Sequence, residues 1–150
     1  MKLSNKKRQE LVIKKFEKEK RLNQLAIAGE GELIIVLESL RPDFNIGKIF
    51  RTAFALGVNS IYLIGIDQFD PYPAKGCFRK VPAFFFTTID ECYSELKSKG
   101  YQIVLFDTHS EQKLRDFHYN KKVAFVFGHE EFGPSSVAKE TSEHTVALKQ

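Results

Sequence analysis

The chain has 150 residues, 43% of them hydrophobic and 14 of them Phe, which is enough for one packed core and too apolar for a disordered polypeptide. Its net charge of +4 is uneven: residues 1–21 hold nine Lys or Arg and three Glu, and the remainder holds 14 basic and 16 acidic residues. No run reaches the ~18 apolar residues of a membrane span, the charged start MKLSNKKRQE lacks a signal-peptide core, and Cys77 and Cys92 form neither a disulfide framework nor a metal spacing, so a cytoplasmic, reducing setting without membrane association is expected.

Residues 4–26 read as a helix with Ser4 as N-cap. Its apolar stripe of Val12, Phe16, Leu22, Leu25 and Ala26 is patchy, which predicts weak packing or a contact with a partner. Its Lys and Arg residues form either a surface that tracks phosphates or a solvated helix face. Gly29-Glu30-Gly31 then interrupts the chain, so residues 1–30 are assigned to a basic helical extension and 31–150 to the main domain.

From Leu33 onward, strands and helices alternate. Leu33 to Leu37 is a continuous apolar run, as in a strand buried on both faces. A helix over about 46–56 follows, with Ile46, Ile49, Phe50 and Ala53 on one face and Gly57 at its C′ position. Ile61 to Ile64 is the next strand, and Phe84 to Phe86 is a candidate short one. Thr88-Ile89-Asp90-Glu91 matches a capping box and opens a helix with a stripe of Ile89, Cys92, Tyr93 and Leu96, closed by Gly100. Gln102 to Phe106 and Val123 to Phe127 are further strands, Pro134 suits the first position of a short helix, and Val146 to Leu148 begins a last strand. The series predicts an α/β fold with a mostly parallel sheet flanked by helices. Ligands in such sheets bind beyond the carboxyl ends of strands. That places the chemistry in the loops Glu38 to Asn45, Asp107 to Ser110 and Gly128 to Ser135.

Two constellations occupy these loops. In Arg41-Pro42-Asp43-Phe44-Asn45-Ile46-Gly47-Lys48-Ile49-Phe50-Arg51-Thr52-Ala53, cations lie near a helix start, where free backbone N–H groups favour anions. Lys48 and Arg51 share the face opposite the apolar stripe, and Gly47 permits close approach of another backbone. In Phe127-Gly128-His129-Glu130-Glu131-Phe132-Gly133-Pro134-Ser135, a strand ends in a glycine-bracketed acidic loop that admits a flat ligand and offers Glu130 to orient a hydroxyl. Neither segment is a phosphate loop or a dinucleotide fingerprint, and His109, His118, His129 and His144 have no metal-ligand spacing.

Together these segments resemble the signature motifs of the SpoU-type (TrmH-like) RNA methyltransferases of the SPOUT superfamily. The resemblance rests on Asn45, Gly47, Arg51-Thr52-Ala53 and Gly57, and on Val126-Phe127-Gly128 with Glu130 and Gly133. It implies an α/β-knot architecture and S-adenosylmethionine-dependent methylation of a ribose 2′-hydroxyl in transfer or ribosomal RNA. It further implies a homodimer and a catalytic set of Arg51, Asn45 and Glu130, in which Asn45 and Glu130 hold Arg51 and the ribose. The cofactor would lie against Phe127, Gly128, Gly133, Thr108, Val146 and Leu148. RNA would meet Arg41 and Lys48, with Lys7, Arg8, Lys14 and Lys15 of the extension. The family's third motif, a Ser-Leu-Asn-like segment that completes the knot, has no counterpart before Gln150. The expectation is a C-terminally incomplete domain with an uncovered apolar face. A non-catalytic RNA-binding or assembly module on the same frame is the alternative reading.

Overall fold

In the computed structural model, which describes residues 3–148, the apolar runs form a six-stranded parallel sheet. The strands are β1 (Ile34–Glu38), β2 (Ser60–Ile64), β3 (Ala83–Phe86), β4 (Gln102–Phe106), β5 (Val123–Phe127) and β6 (His144–Val146), in the order β3-β2-β1-β5-β4-β6. The central strands β1 and β5 are apolar but for the terminal Glu38, because helices cover both sheet faces. The helices are α1 (Asn5–Asn23), α2 (Phe44–Ala55), α3 (Ile89–Ser98) and α4 (Ser136–Thr141).

On one face, Phe16 of α1 and Ile46, Phe50 and Ala53 of α2 pack with Leu37, Leu63, Phe69 and Phe78. On the other, Ile89, Cys92, Tyr93 and Leu96 of α3 and Ala138 of α4 pack with Val36, Tyr62, Leu105 and Val126. Each fully buried Leu, Ile or Phe contributes about 1.5–3 kcal/mol of transfer free energy. Gly47 lets α2 meet the 3-10 turn at Tyr72–Ala74, since a Cβ there would lie 2.8 Å from the Ala74 nitrogen. The C′ residue Gly57 has φ of +69°, as its position after α2 requires.

The first helix docks more firmly than its hydropathy predicts. It ends at Asn23, not at 26, and Leu25 is 78% exposed. The side chains buried beside Phe16 are Glu19 and Asn23, at 2% and 7% exposure. Glu19 accepts from the Arg79 guanidinium at 2.7 and 2.8 Å. Asn23 donates to the Phe78 and Val81 carbonyls at 2.5 and 2.7 Å and accepts from the Ala83 N–H at 3.0 Å. Those bonds hold the helix end against the segment before β3, and the chain then turns away, leaving Leu25 in solvent.

Three other boundaries move. The second helix begins at Phe44 because the Asp43 carboxylate caps the Phe44 N–H at 2.7 Å. The fourth begins at Ser136: Ser135 is its N-cap, accepting from the Ala138 N–H at 3.1 Å, and Pro134 precedes the cap instead of opening the helix. The last strand is His144–Val146, not 146–148, because Ala147 leaves β4 to bridge Lys113. Among the described residues, no helix is long and apolar enough to cross a membrane.

Candidate active site

The chain leaves β1 toward β2 on one side and leaves β5 toward β6 on the other, while β1 and β5 are paired neighbours. Their loops diverge, and the crevice between them is a topological switch point, where α/β sheets bind ligands. Both sequence constellations meet there. Glu130 Oε1 accepts from the Asn45 amide at 3.2 Å, and Oε2 accepts from the Arg41 backbone N–H at 3.1 Å. The Arg41 guanidinium is ion-paired with Glu131.

Burial alone would raise the Glu130 carboxyl, but backbone N–H groups of Glu130 and Arg41, the Asn45 amide and the nearby His129 outweigh it, so its pKa is lowered. A carboxylate held ionised accepts hydrogen bonds well and is a weak base. It is therefore suited to orienting a hydroxyl more than to taking its proton.

The loop bearing Glu130 is a tight turn. His129 and Gly133 exchange backbone hydrogen bonds of 3.1 and 2.8 Å, and His129 Nδ1 accepts from the Glu131 and Phe132 N–H groups. A Cβ at Gly128 would lie 2.5 Å from the Pro134 nitrogen. The missing side chain thus makes room for the loop's own return. Glu38, at the end of β1, accepts from the Ser135 N–H at 3.2 Å and from its hydroxyl at 2.7 Å. The sequence reading placed Glu38 at the start of a ligand-side loop and gave it no role in the site. A carboxylate ending an apolar run was the available signal.

Two clefts adjoin Glu130. One, about 300 Å3, has Phe127, Gly128, Gly133, Thr108 and Leu148 in its wall, with Asp107, Glu131 and Phe106. The Phe106 and Phe127 rings are stacked with centroids 4.5 Å apart. Val146, assigned to this wall from the sequence, is fully buried in the strand beside β4 instead. The other cleft, about 450 Å3, runs along α2 between Asn45, Lys48 and Thr52 and the apolar Leu33, Ile35 and Phe127. Glu130 and Phe127 line both.

Arg51 is placed differently from the sequence expectation. It is six residues beyond Asn45, so it lies about 9 Å along the helix and about 120° around it. Arg51 is exposed and shares a shallow depression with Lys48, Thr52, Ala55 and Leu56. Among the described residues, no hydrogen bond joins it to Asn45 or Glu130; that pair binds each other and the Arg41 backbone. Lys48 lies 5.6 Å from the Phe44 ring centroid. Of the basic α1 residues, Lys7 and Lys14 are exposed, Arg8 lines a separate groove, and Lys15 pairs with Glu19 at 3.4 Å.

Residues 32–150 match the SpoU rRNA Methylase family. The chain belongs to that family. SpoU relatives include a Bacillus subtilis protein named for the TrmH tRNA/rRNA methyltransferase family, 25% identical over 79% of this chain and 50% of its own. A Synechocystis protein named as a tRNA/rRNA methyltransferase is 29% identical over 80% of this chain and 46% of its own. The chain spans about half the length of the curated relatives it matches. Among solved SpoU structures, the Aquifex aeolicus TrmH/SpoU tRNA modifying enzyme superposes with a TM-score of 0.72 at 23% identity, covering 89% of this chain and 71% of its own. The Streptomyces viridochromogenes SpoU methyltransferase AviRb in complex with AdoMet superposes with a TM-score of 0.71 at 22% identity, covering 86% of this chain and 52% of its own. These likenesses establish the parallel SpoU sheet.

Proposed function

We propose that this protein methylates a ribose 2′-hydroxyl in transfer or ribosomal RNA, with S-adenosylmethionine as methyl donor. The observation that carries the reading is the place of Glu130, bonded to Asn45 and forming a wall common to two adjoining clefts. One cleft suits the donor and the other leads to the basic face of α2.

The residues of the smaller cleft fit the cofactor. The stacked Phe106 and Phe127 rings suit a flat adenine, and Asp107 and Glu131 suit the cofactor's sulfonium and ammonium groups. Phe127, Gly128, Gly133, Thr108 and Leu148 would hold it. When bound, it supplies a methyl group already activated on a sulfonium. The protein's own part is then positioning. Glu130 accepts a hydrogen bond from the ribose and Asn45 fixes the Glu130 carboxylate. Arg51 and Lys48 hold the adjacent phosphate, and Arg51 stabilises the negative charge that develops on the hydroxyl oxygen. A guanidinium stays protonated, so Arg51 acts by charge. Arg41, once released from Glu131, adds a further phosphate contact. Lys7, Arg8, Lys14 and Lys15 extend the basic surface.

The same reading includes a cytoplasmic homodimer. Sedimentation equilibrium checks that assembly. Calorimetric titration of S-adenosylmethionine tests the cofactor cleft. The expected result is saturable binding that weakens in Leu148→Arg, whose parent side chain is 56% exposed, so the fold tolerates the change. Absence of heat from the folded chain would contradict the assignment.

A further inference from the structure

A separate groove, about 570 Å3, lies between α1 and the loops that precede α2 and follow β2. One wall is Arg8, Gln9, Val12 and Ile13 of α1. The other is Pro42, Gln68 and Asp70, and the Asp70 N–H donates to the Pro42 carbonyl at 2.8 Å. Phe16 and Phe69, 4% and 1% exposed, make an apolar floor. Pro42 is the chain neighbour of Arg41, whose backbone N–H binds Glu130, so one wall of the groove belongs to the loop that enters the candidate active site.

Three properties select an occupant. The amides of Gln9 and Gln68 offer both donors and acceptors at the rim, as base edges require. Tyr72, two residues beyond Asp70, is 49% exposed with Lys15 5.6 Å from its ring centroid. An exposed aromatic beside a cation is a stacking platform for an unpaired base. The helix forming the first wall carries most of the chain's excess positive charge: residues 1–21 hold nine Lys or Arg and three Glu. An apolar peptide would use the floor but not the cations.

We propose that this groove is a subsite for an unpaired nucleotide flanking the methylated one, with its base over the Phe16–Phe69 floor and its phosphate toward Arg8. The proposal rests on the RNA methyltransferase reading and adds that the target lies in a single-stranded segment. It also makes α1 a recognition element that does more than supply charge.

Fluorescence anisotropy with a short, unstructured, labelled RNA separates the two roles of the helix. Ile13, 37% exposed, becomes Trp to fill the groove without changing charge. Lys18, exposed on another face of α1, becomes Ala to remove charge without touching the groove. The expected result for Ile13→Trp is a dissociation constant roughly tenfold higher, about 1.4 kcal/mol, with an unchanged salt slope. Lys18→Ala lowers the salt slope by about 1 and weakens binding of every RNA sequence alike. The double variant Gln9→Ala, Gln68→Ala, at two exposed rim positions, repeats the loss if Ile13→Trp unfolds the helix. Unchanged affinity in folded groove variants, with the unsubstituted chain binding RNA, would overturn the subsite alone. Failure of the unsubstituted chain to bind RNA would overturn the RNA reading and the subsite together.

Discussion

Glu38 and Ser135, 97 residues apart, are joined by two hydrogen bonds, from the Ser135 hydroxyl at 2.7 Å and from its N–H at 3.2 Å. The Glu38 carboxylate ends β1, and Ser135 caps α4. This contact ties the end of the first strand to the end of the loop that carries Glu130.

Replacing Glu38, a residue 5% exposed, by Ala removes both hydrogen bonds from Ser135, which is itself exposed. A hydrogen bond to a charged group contributes about 1.5–3 kcal/mol, and water reaching Ser135 offsets part of the loss. The expected outcome is a lower melting temperature and weaker S-adenosylmethionine binding, because the Gly128–Ser135 loop loses its anchor. Calorimetry and thermal melting read both. Glu38→Gln, which keeps an acceptor, is expected to lose less.

Asn23 makes three hydrogen bonds to backbone groups before and in β3. Asn23→Ala leaves those groups unpaired and is expected to destabilise the chain by on the order of 3 kcal/mol. Asn23→Asp removes the donor and adds charge, and is expected to be worse. Urea unfolding checks the order. Equal midpoints for all three proteins would remove Asn23 from the docking contact of α1.

The Glu19 pKa is lowered from 4.5, chiefly by hydrogen bonding from Arg79; burial opposes the shift, while the Arg79 charge and Lys15 support it. A depressed carboxylate contributes stability that is present above its unfolded pKa and lost as pH falls through its folded pKa. The melting temperature of the native protein therefore falls below about pH 4.5 in part because this pair breaks. In Glu19→Gln that component is already absent. The gap between the two proteins is predicted to narrow as the solution is acidified. A gap that stays constant from neutral to acid pH would remove Glu19 from the docking contact.

The Cys92 thiol is pushed up to about 12 by burial, with the Glu95 charge adding to it. It is fully buried between α3 and the sheet, whereas Cys77 is half-buried. Both are free thiols. Iodoacetamide at neutral pH is expected to modify Cys77 and to spare Cys92 until denaturant is added. Mass spectrometry of the labelled peptides distinguishes the two sites.

Much of the sheet was legible because its signals are local. The apolar run of β1, the Thr88 cap that accepts from the Glu91 N–H at 3.2 Å, and the left-handed Gly57 and Gly100 each declare themselves within a few residues. The union of the two motifs was legible as well, since a parallel sheet sends strand ends to one edge. What hydropathy concealed depended on distant partners. Glu19 and Asn23 lie outside the apolar stripe read for the first helix, and their partners lie 55 to 60 positions away. Ser135 outcompetes Pro134 for the helix start because Glu38 holds it. Arg51 shares a motif with Asn45 but not a helix face, which six residues of helical phase settle. Val146 was placed one position too near the cleft, because the strand's departure at Ala147 is set by pairing with Lys113.

The most direct measurement is transfer of isotopically labelled methyl from S-adenosylmethionine to RNA, followed by alkaline hydrolysis. Alkali cleaves RNA through the free 2′-hydroxyl, so a 2′-O-methylated ribose survives as a resistant dinucleotide. The proposed activity predicts label in that dinucleotide, and its loss by about 10²-fold or more in Arg51→Ala as electrostatic stabilisation is removed. Label recovered in mononucleotides, or equal transfer by Arg51→Ala, would contradict it.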